Sequence, residues 1–256
     1  MNKEYSSYVV NGLIRTAKLQ KATINQSDIQ NLPETVKKYL SVTGFLAKEK
    51  INNFRVVCEG RIRGNSGGWM KFSSKQYNFF DEPSRFFLIK ATKMGIPARG
   101  LHVYKNLQAS MVIKMANIFK VVDARGPKMN QAETVTLFND MCVMAPGTLI
   151  SDKVEWEEIG DLKIKSTFTN GNYKIAAILH FNENGELTNF ISNDRYDTDG
   201  KTYVNYPWST PLSDYKDFGG IRIASRASLI YHKPEGDFCY GKFILKEADY
   251  NCKELY

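Results

Sequence analysis

The chain has 256 residues, of which 43% are hydrophobic and 12% aromatic, enough to bury a core without help from disulfides or metals. Its 35 Lys and Arg exceed its 27 Asp and Glu by eight charges, yet Lys37-Lys38 is the only adjacent basic pair. A polybasic arm that grips phosphate backbones is therefore excluded, and no nucleic-acid partner is expected.

From Ser7 to about Lys21, Val9, Val10, Leu13, Ile14 and Ala17 fall at helical spacing and predict an amphipathic helix. Pro33 suits the first turn of a second helix that carries Val36, Tyr39 and Leu40 and stops near Gly44. From Ile51 the pattern turns to β-branched and aromatic residues. A strand over 54–62 is followed by a turn at Gly64-Asn65-Ser66-Gly67-Gly68 and a return strand from Trp69 to Phe80. Further strands are predicted near 85–90, 101–105, 111–115 and 119–122. Asn130 with Glu133 three residues on resembles a capping box, and opens an inserted helix that Pro146-Gly147 ends. Hairpins then resume, punctuated by Asn170-Gly171, Asn184-Gly185, Pro207-Trp208, Gly219-Gly220 and Pro234-Glu235-Gly236.

These elements predict an α+β, mainly β fold: a large curved antiparallel sheet or half-barrel with N-terminal helices and one inserted helix. About ten strands is where open sheets tend to curl, with helices against one face. A single domain over 1–256 is expected, divided into a helical lead (1–44), a first strand group (51–125), the inserted helix (130–142) and a second strand group (153–250).

Cys58, Cys142, Cys239 and Cys252 share no metal-ligand spacing with His102, His180 or His232, so neither a metal nor a cofactor is expected. Scattered thiols fit a reducing compartment, and Met1-Asn2-Lys3-Glu4-Tyr5 lacks the apolar core of a secretory signal. The chain as given reads as cytoplasmic. A signal or anchor cut from a longer precursor would leave the same start. No run approaches the roughly eighteen apolar residues that span a bilayer.

The chain resembles an uncharacterised bacterial family with a Leu-Pro-x-x-Val-basic-basic-Tyr-Leu opening, here Leu32 to Leu40 followed by Thr43-Gly44. The likeness continues through Glu133-Thr134-Val135, Asn139 to Cys142, Ala145-Pro146, Trp156, Asp194-Arg195-Tyr196, Pro207 to Pro211, Tyr215, Gly219-Gly220 and Pro234 to Gly241. That resemblance implies no activity. The predicted half-barrel also looks like lipoprotein carriers of the LolA and LolB type, which hold acyl chains; this is a likeness of fold.

The first functional reading is a non-enzymatic protein that binds an apolar or amphipathic, lipid-like ligand in the concave face, with peripheral membrane association as a corollary. Its candidate ligand-binding residues are Asn139, Asp140, Arg195, Trp208, Tyr215, Trp69 and Phe72. Trp208 and Tyr215 are placed at a pocket rim, where their polar tips suit a wet edge. Tyr77, Phe79, Phe80, Phe86, Phe87, Met94, Met111 and Met115 are further wall candidates, although a closed core accounts for them as well. The alternatives are a hydrolase-like enzyme with Asp140 and Arg195 as candidate catalytic residues, and a partner-binding domain without chemistry.

Overall fold

The computed structural model describes residues 1–256 apart from Ser66, Met94 and Asn117. Met94 as a wall candidate and Ser66 of the Gly64–Gly68 turn thus lie outside the described residues.

Three helices lead the chain: α1 (Asn2–Thr16), α2 (Gln26–Ile29) and α3 (Glu34–Val42). The first buries Tyr5, Val9, Gly12, Leu13 and Thr16, whereas Val10 and Ile14 of the expected stripe are exposed. Gly12 sets this docking face, because a Cβ there would stand 2.5 Å from the Phe79 ring. Short α2 went unpredicted; Asn25 and Asp28 close a capping box around its first turn. Pro33 precedes α3, and Gly44, at φ +77°, takes the left-handed conformation that ends it.

Six strands follow: β1 (Asn53–Ile62), β2 (Met70–Phe79), β3 (Ser84–Lys93), β4 (Ile96–Lys105), β5 (Gln108–Met115) and β6 (Phe119–Arg125). Then comes α4 (Pro127–Met144), three residues earlier than the capping-box reading placed it. Pro127 opens it, while Asn130 instead accepts from the Ala109 backbone N–H at 2.7 Å. The remaining strands are β7 (Val154–Gly160), β8 (Lys163–Asn170), β9 (Tyr173–Phe181), β10 (Leu187–Ser192), β11 (Tyr196–Thr198), β12 (Tyr203–Asn205), β13 (Trp208–Ser209), β14 (Leu212–Asp217), β15 (Arg222–Lys233) and β16 (Gly236–Tyr250).

Fourteen strands form one curved antiparallel sheet with the path β6-β5-β4-β3-β2-β1-β16-β15-β13-β10-β9-β8-β7, β14 pairing on β15. The last long strand, β16, thus joins the two strand groups through its register with β1. Register shifts at Val57/Cys58 and Leu229/Ile230 lie beside this seam, and such bulges sharpen twist and bend. The sheet stays open, with β6 and β7 as its ends. Pro207-Trp208, read as a separator, instead supplies β13, a buried two-residue strand between β10 and β15.

Helices cover both faces rather than one. On the convex side, α1 packs over Tyr77, Phe79, Phe86, Leu88 and Leu101. On the concave side, α4 is wrapped by the sheet and buries residues around its whole circumference, from Met129 to Val143. Because β3 is apolar on both faces and β2 carries aromatics on both, alternation alone could not say which aromatics point inward. Tyr77, Phe79 and Phe86 point outward under α1, whereas Phe87 and Ile89 point inward.

Candidate functional site

Between α4 and the concave face lies a cavity of about 540 Å³. Val56, Cys58, Phe87, Ile89, Met111 and Leu229 contribute an aliphatic and aromatic wall from strands of the sheet. The 195–199 segment lies along one side. Its hairpin, β11 with β12, reaches toward β6: the Tyr203 hydroxyl donates to the Arg125 carbonyl at 3.0 Å.

Opposite the apolar wall, α4 presents Glu133, Thr136, Asn139 and Asp140, spaced so that one helix face carries them all. Inward positions of β2 and β3 supply partners. The Oδ2 of Asp140 accepts from Arg85 Nε at 2.8 Å, Gln76 Nε2 at 2.7 Å and Asn78 Nδ2 at 3.0 Å. Arg85 Nη1 also reaches Glu133 Oε2 at 3.2 Å, and its Nη2 donates to Gln76 Oε1 at 2.9 Å. Charges taken from water in this way need partners, and here each carboxylate has one.

Burial pushes the Glu133 carboxyl up, but His102, 3.9 Å away, with Arg85 and Arg195 outweighs it and holds the group at about 2. At Asp140 burial prevails and pushes the carboxyl up, against the pull of Arg85 and Asn78.

Arg195 enters from the far side. Its Nη1 donates to the Ala132 carbonyl at 2.8 Å and to the Thr136 hydroxyl, and its guanidinium lies 4.6 Å from the centre of the Trp208 ring. Asp140 and Arg195 both line the cavity, but the guanidinium bonded to Asp140 is that of Arg85. Asn139 donates to the Thr210 hydroxyl at 3.1 Å.

Trp208 is 1% exposed, so it is a buried wall residue and not a rim. Its Nε1 donates to the Tyr240 hydroxyl at 3.1 Å. Three other candidates do not line the cavity. Tyr215 donates from β14 to the Leu187 carbonyl at 2.8 Å. Phe72 packs against Phe243 at 4.6 Å. Trp69 is exposed beneath Arg63 and Lys242.

Sequence reasoning passed over Gln76, Arg85, His102 and Glu133. The available signal was polar residues at positions 76 and 78 of a strand whose other face is aromatic, and a glutamate in line with Thr136 and Asp140 on an otherwise apolar helix.

Reactive groups are few. Burial pushes the Cys58 thiol to about 12 and the Cys142 thiol well above its usual range, so neither is a ready nucleophile. Among the described residues no His, Cys, Asp and Glu cluster is arranged to hold a metal. Ser209 Oγ lies 2.8 Å from His232 Nε2, and His232 Nδ1 lies 2.6 Å from Asp237 Oδ1, the bonding order of a serine-hydrolase triad. Ser209, however, is 1% exposed and points to the face of β13 opposite Trp208, away from the cavity. The three groups therefore act as a cross-strand clip.

The segments shared with the family opening and its later pieces converge around α4. Tyr39 donates to the Cys142 carbonyl at 2.7 Å, Arg222 N–H to the Thr43 carbonyl at 3.0 Å, and Asn139, Arg195, Trp208 and Tyr240 meet as described. A family model matches residues 22–243. The chain belongs to the family of unknown function DUF6544.

No curated protein matches this DUF6544 chain in sequence. Among solved structures, a LolA superfamily protein from Nitrosomonas europaea is similar over 85% of this chain and 94% of its own, at 10% identity and a TM-score of 0.43. A domain from Vibrio parahaemolyticus, provisionally described as an outer membrane lipoprotein-sorting protein, is similar over 78% and 85%, at 9% identity and a TM-score of 0.43. Among the described residues of the DUF6544 chain, no helix is long and apolar enough to cross a membrane.

Proposed function

We propose that this protein binds an apolar or amphipathic, lipid-like small molecule in the cavity between α4 and the concave sheet. The observation that carries the reading is the cavity itself: about 540 Å³ with a mostly apolar lining and one polar strip along α4. Small-molecule sites commonly enclose roughly 300–1,000 Å³ and combine apolar walls with a few placed polar groups. Space of this size and lining is unfavourable to leave unfilled, since its walls forgo both packing partners and good hydration.

The polar strip favours binding over turnover. Asp140 has three donors on one oxygen and Glu133 is paired with Arg85, so both carboxylates are engaged in holding α4 to β2 and β3.

Native mass spectrometry of gently purified protein, followed by solvent extraction of the released species, tests the reading. Expected is a stoichiometric adduct of amphiphile mass, or uptake of an apolar dye after delipidation. A protein with neither an adduct nor dye uptake overturns it.

A further inference from the structure

Arg195 is a buried charged group of the cavity whose bonding is incomplete. Arg85 takes both buried carboxylates, and Arg195 has no carboxylate in ion-pair reach among the described residues. Its Nη1 bonds to Ala132 and Thr136, and the Tyr231 and Tyr240 hydroxyls lie beside the guanidinium. Its Nε is shut from solvent with no hydrogen-bond partner. Nη2 makes no hydrogen bond among the described residues and is not among the solvent-shielded atoms. Nε is thus out of a ligand's reach, and Nη2 is the guanidinium nitrogen left accessible beside the Tyr240 hydroxyl. Such a guanidinium N–H gives a carboxylate or phosphate oxygen a charge-assisted hydrogen bond.

The surroundings suit an anion. Trp208 and the two bonds from Nη1 fix the plane of the guanidinium, so little side-chain freedom remains to be lost on binding. Tyr240 lines the same cavity; its oxygen accepts from Trp208 Nε1, and its own proton has no acceptor among the described residues. Burial pushes that phenol up, so it stays protonated and able to donate.

We propose that the ligand carries an anionic oxyanion head, a carboxylate or phosphate monoester, seated against Arg195 Nη2 and the Tyr240 hydroxyl, with its aliphatic chain along the apolar wall. This rests on the binding reading above and names the head group it selects. A buried cation without a carboxylate in ion-pair reach lowers its own energy by taking such a partner, which a neutral head cannot replace.

The test is a calorimetric titration of delipidated full-length protein with dodecanoate, dodecyl phosphate, dodecanol and inorganic phosphate. Charge-assisted bonds of this kind predict that at least one of the two anionic amphiphiles binds about tenfold or more tighter than the alcohol. Whichever binds tighter identifies the head, and weak binding of inorganic phosphate shows that the chain is also required. Arg195→Gln should erase the preference, bringing the anionic amphiphiles to the affinity that the same variant has for dodecanol. Tyr240→Phe, which keeps the ring, should reduce the preference several-fold and serves if the arginine variant does not fold. Equal affinities for the acid, the phosphate and the alcohol overturn the head-group inference but leave the binding reading standing. Tight binding of inorganic phosphate alone overturns the inference as stated. No binding of any amphiphile overturns the binding reading itself.

Discussion

Arg85 Nε stands 2.8 Å from Asp140 Oδ2, an ion pair closed between the middle of the sheet and the central helix, with both side chains below a tenth exposed. Replacing one member strands the other in a low-dielectric site. Asp140→Ala also leaves the Asn78 amide without its acceptor and Gln76 Nε2 with Asn78 Oδ1 alone. The expected loss is about 3–5 kcal/mol in a urea or guanidinium unfolding titration. Because Arg85 also holds Glu133, the triple replacement Arg85→Met, Glu133→Gln and Asp140→Leu should cost less than the sum of the three single changes, since no member of the buried ion-pair cluster is then left without its partner.

The acid response of the fold should isolate Glu133. Its carboxyl, held at about 2 against the ordinary 4.5, contributes stability that is complete above 4.5 and lost as pH falls toward 2. Asp140 works in the opposite sense: its raised value gives stability present below the ordinary 3.8 and lost as pH rises through the folded value. Glu133→Gln should therefore be less stable than wild type near neutrality, with the gap narrowing as pH falls from 4.5 to 2. Unfolding midpoints measured across that interval check it; a gap that does not change with pH contradicts the assignment.

Tyr39 links the family opening to the site. Its ring packs edge-on against Phe181 at 5.4 Å, and its hydroxyl is bonded to the Cys142 carbonyl near the end of α4. Tyr39→Phe keeps the packing and orphans a buried carbonyl, so a loss of about 1–3 kcal/mol is expected by thermal or chemical denaturation.

The Ser209, His232 and Asp237 chain offers a clean negative. Because Ser209 is buried on the convex side, a fluorophosphonate probe should leave it unmodified in folded protein, as peptide mass spectrometry would show. Ready labelling at Ser209 would instead support acyl-transfer chemistry there.

Much of the fold was legible because strands and turns are written in local patterns. The Phe54 strand, its return partner and the Asn170-Gly171 hairpin needed only neighbouring residues to be placed. Long-range facts were not local. Nothing in the order of residues says that β16 returns to pair with β1, or that Phe87 faces a cavity while Phe86 faces α1. The site was half visible: Asn139, Asp140, Arg195 and Trp208 line the cavity, but Arg85, the partner of Asp140, lies 55 residues away in sequence. Glu133 resembled a helix cap because Asn130 precedes it at the right interval. The earlier start at Pro127 moved it inside a helix buried on all sides.

The central claim is that the space beneath the sheet is a binding chamber. Ala98 lines it from β4 and is itself buried, so Ala98→Trp places an indole in the space a ligand would take. Titration of delipidated wild type and variant with a fluorescent fatty-acid probe, alongside circular dichroism, decides the matter. The account predicts saturable one-to-one uptake by wild type and a loss of about tenfold or more in a variant that keeps its β-rich spectrum. Equal uptake by a folded variant, or none by wild type, would contradict it.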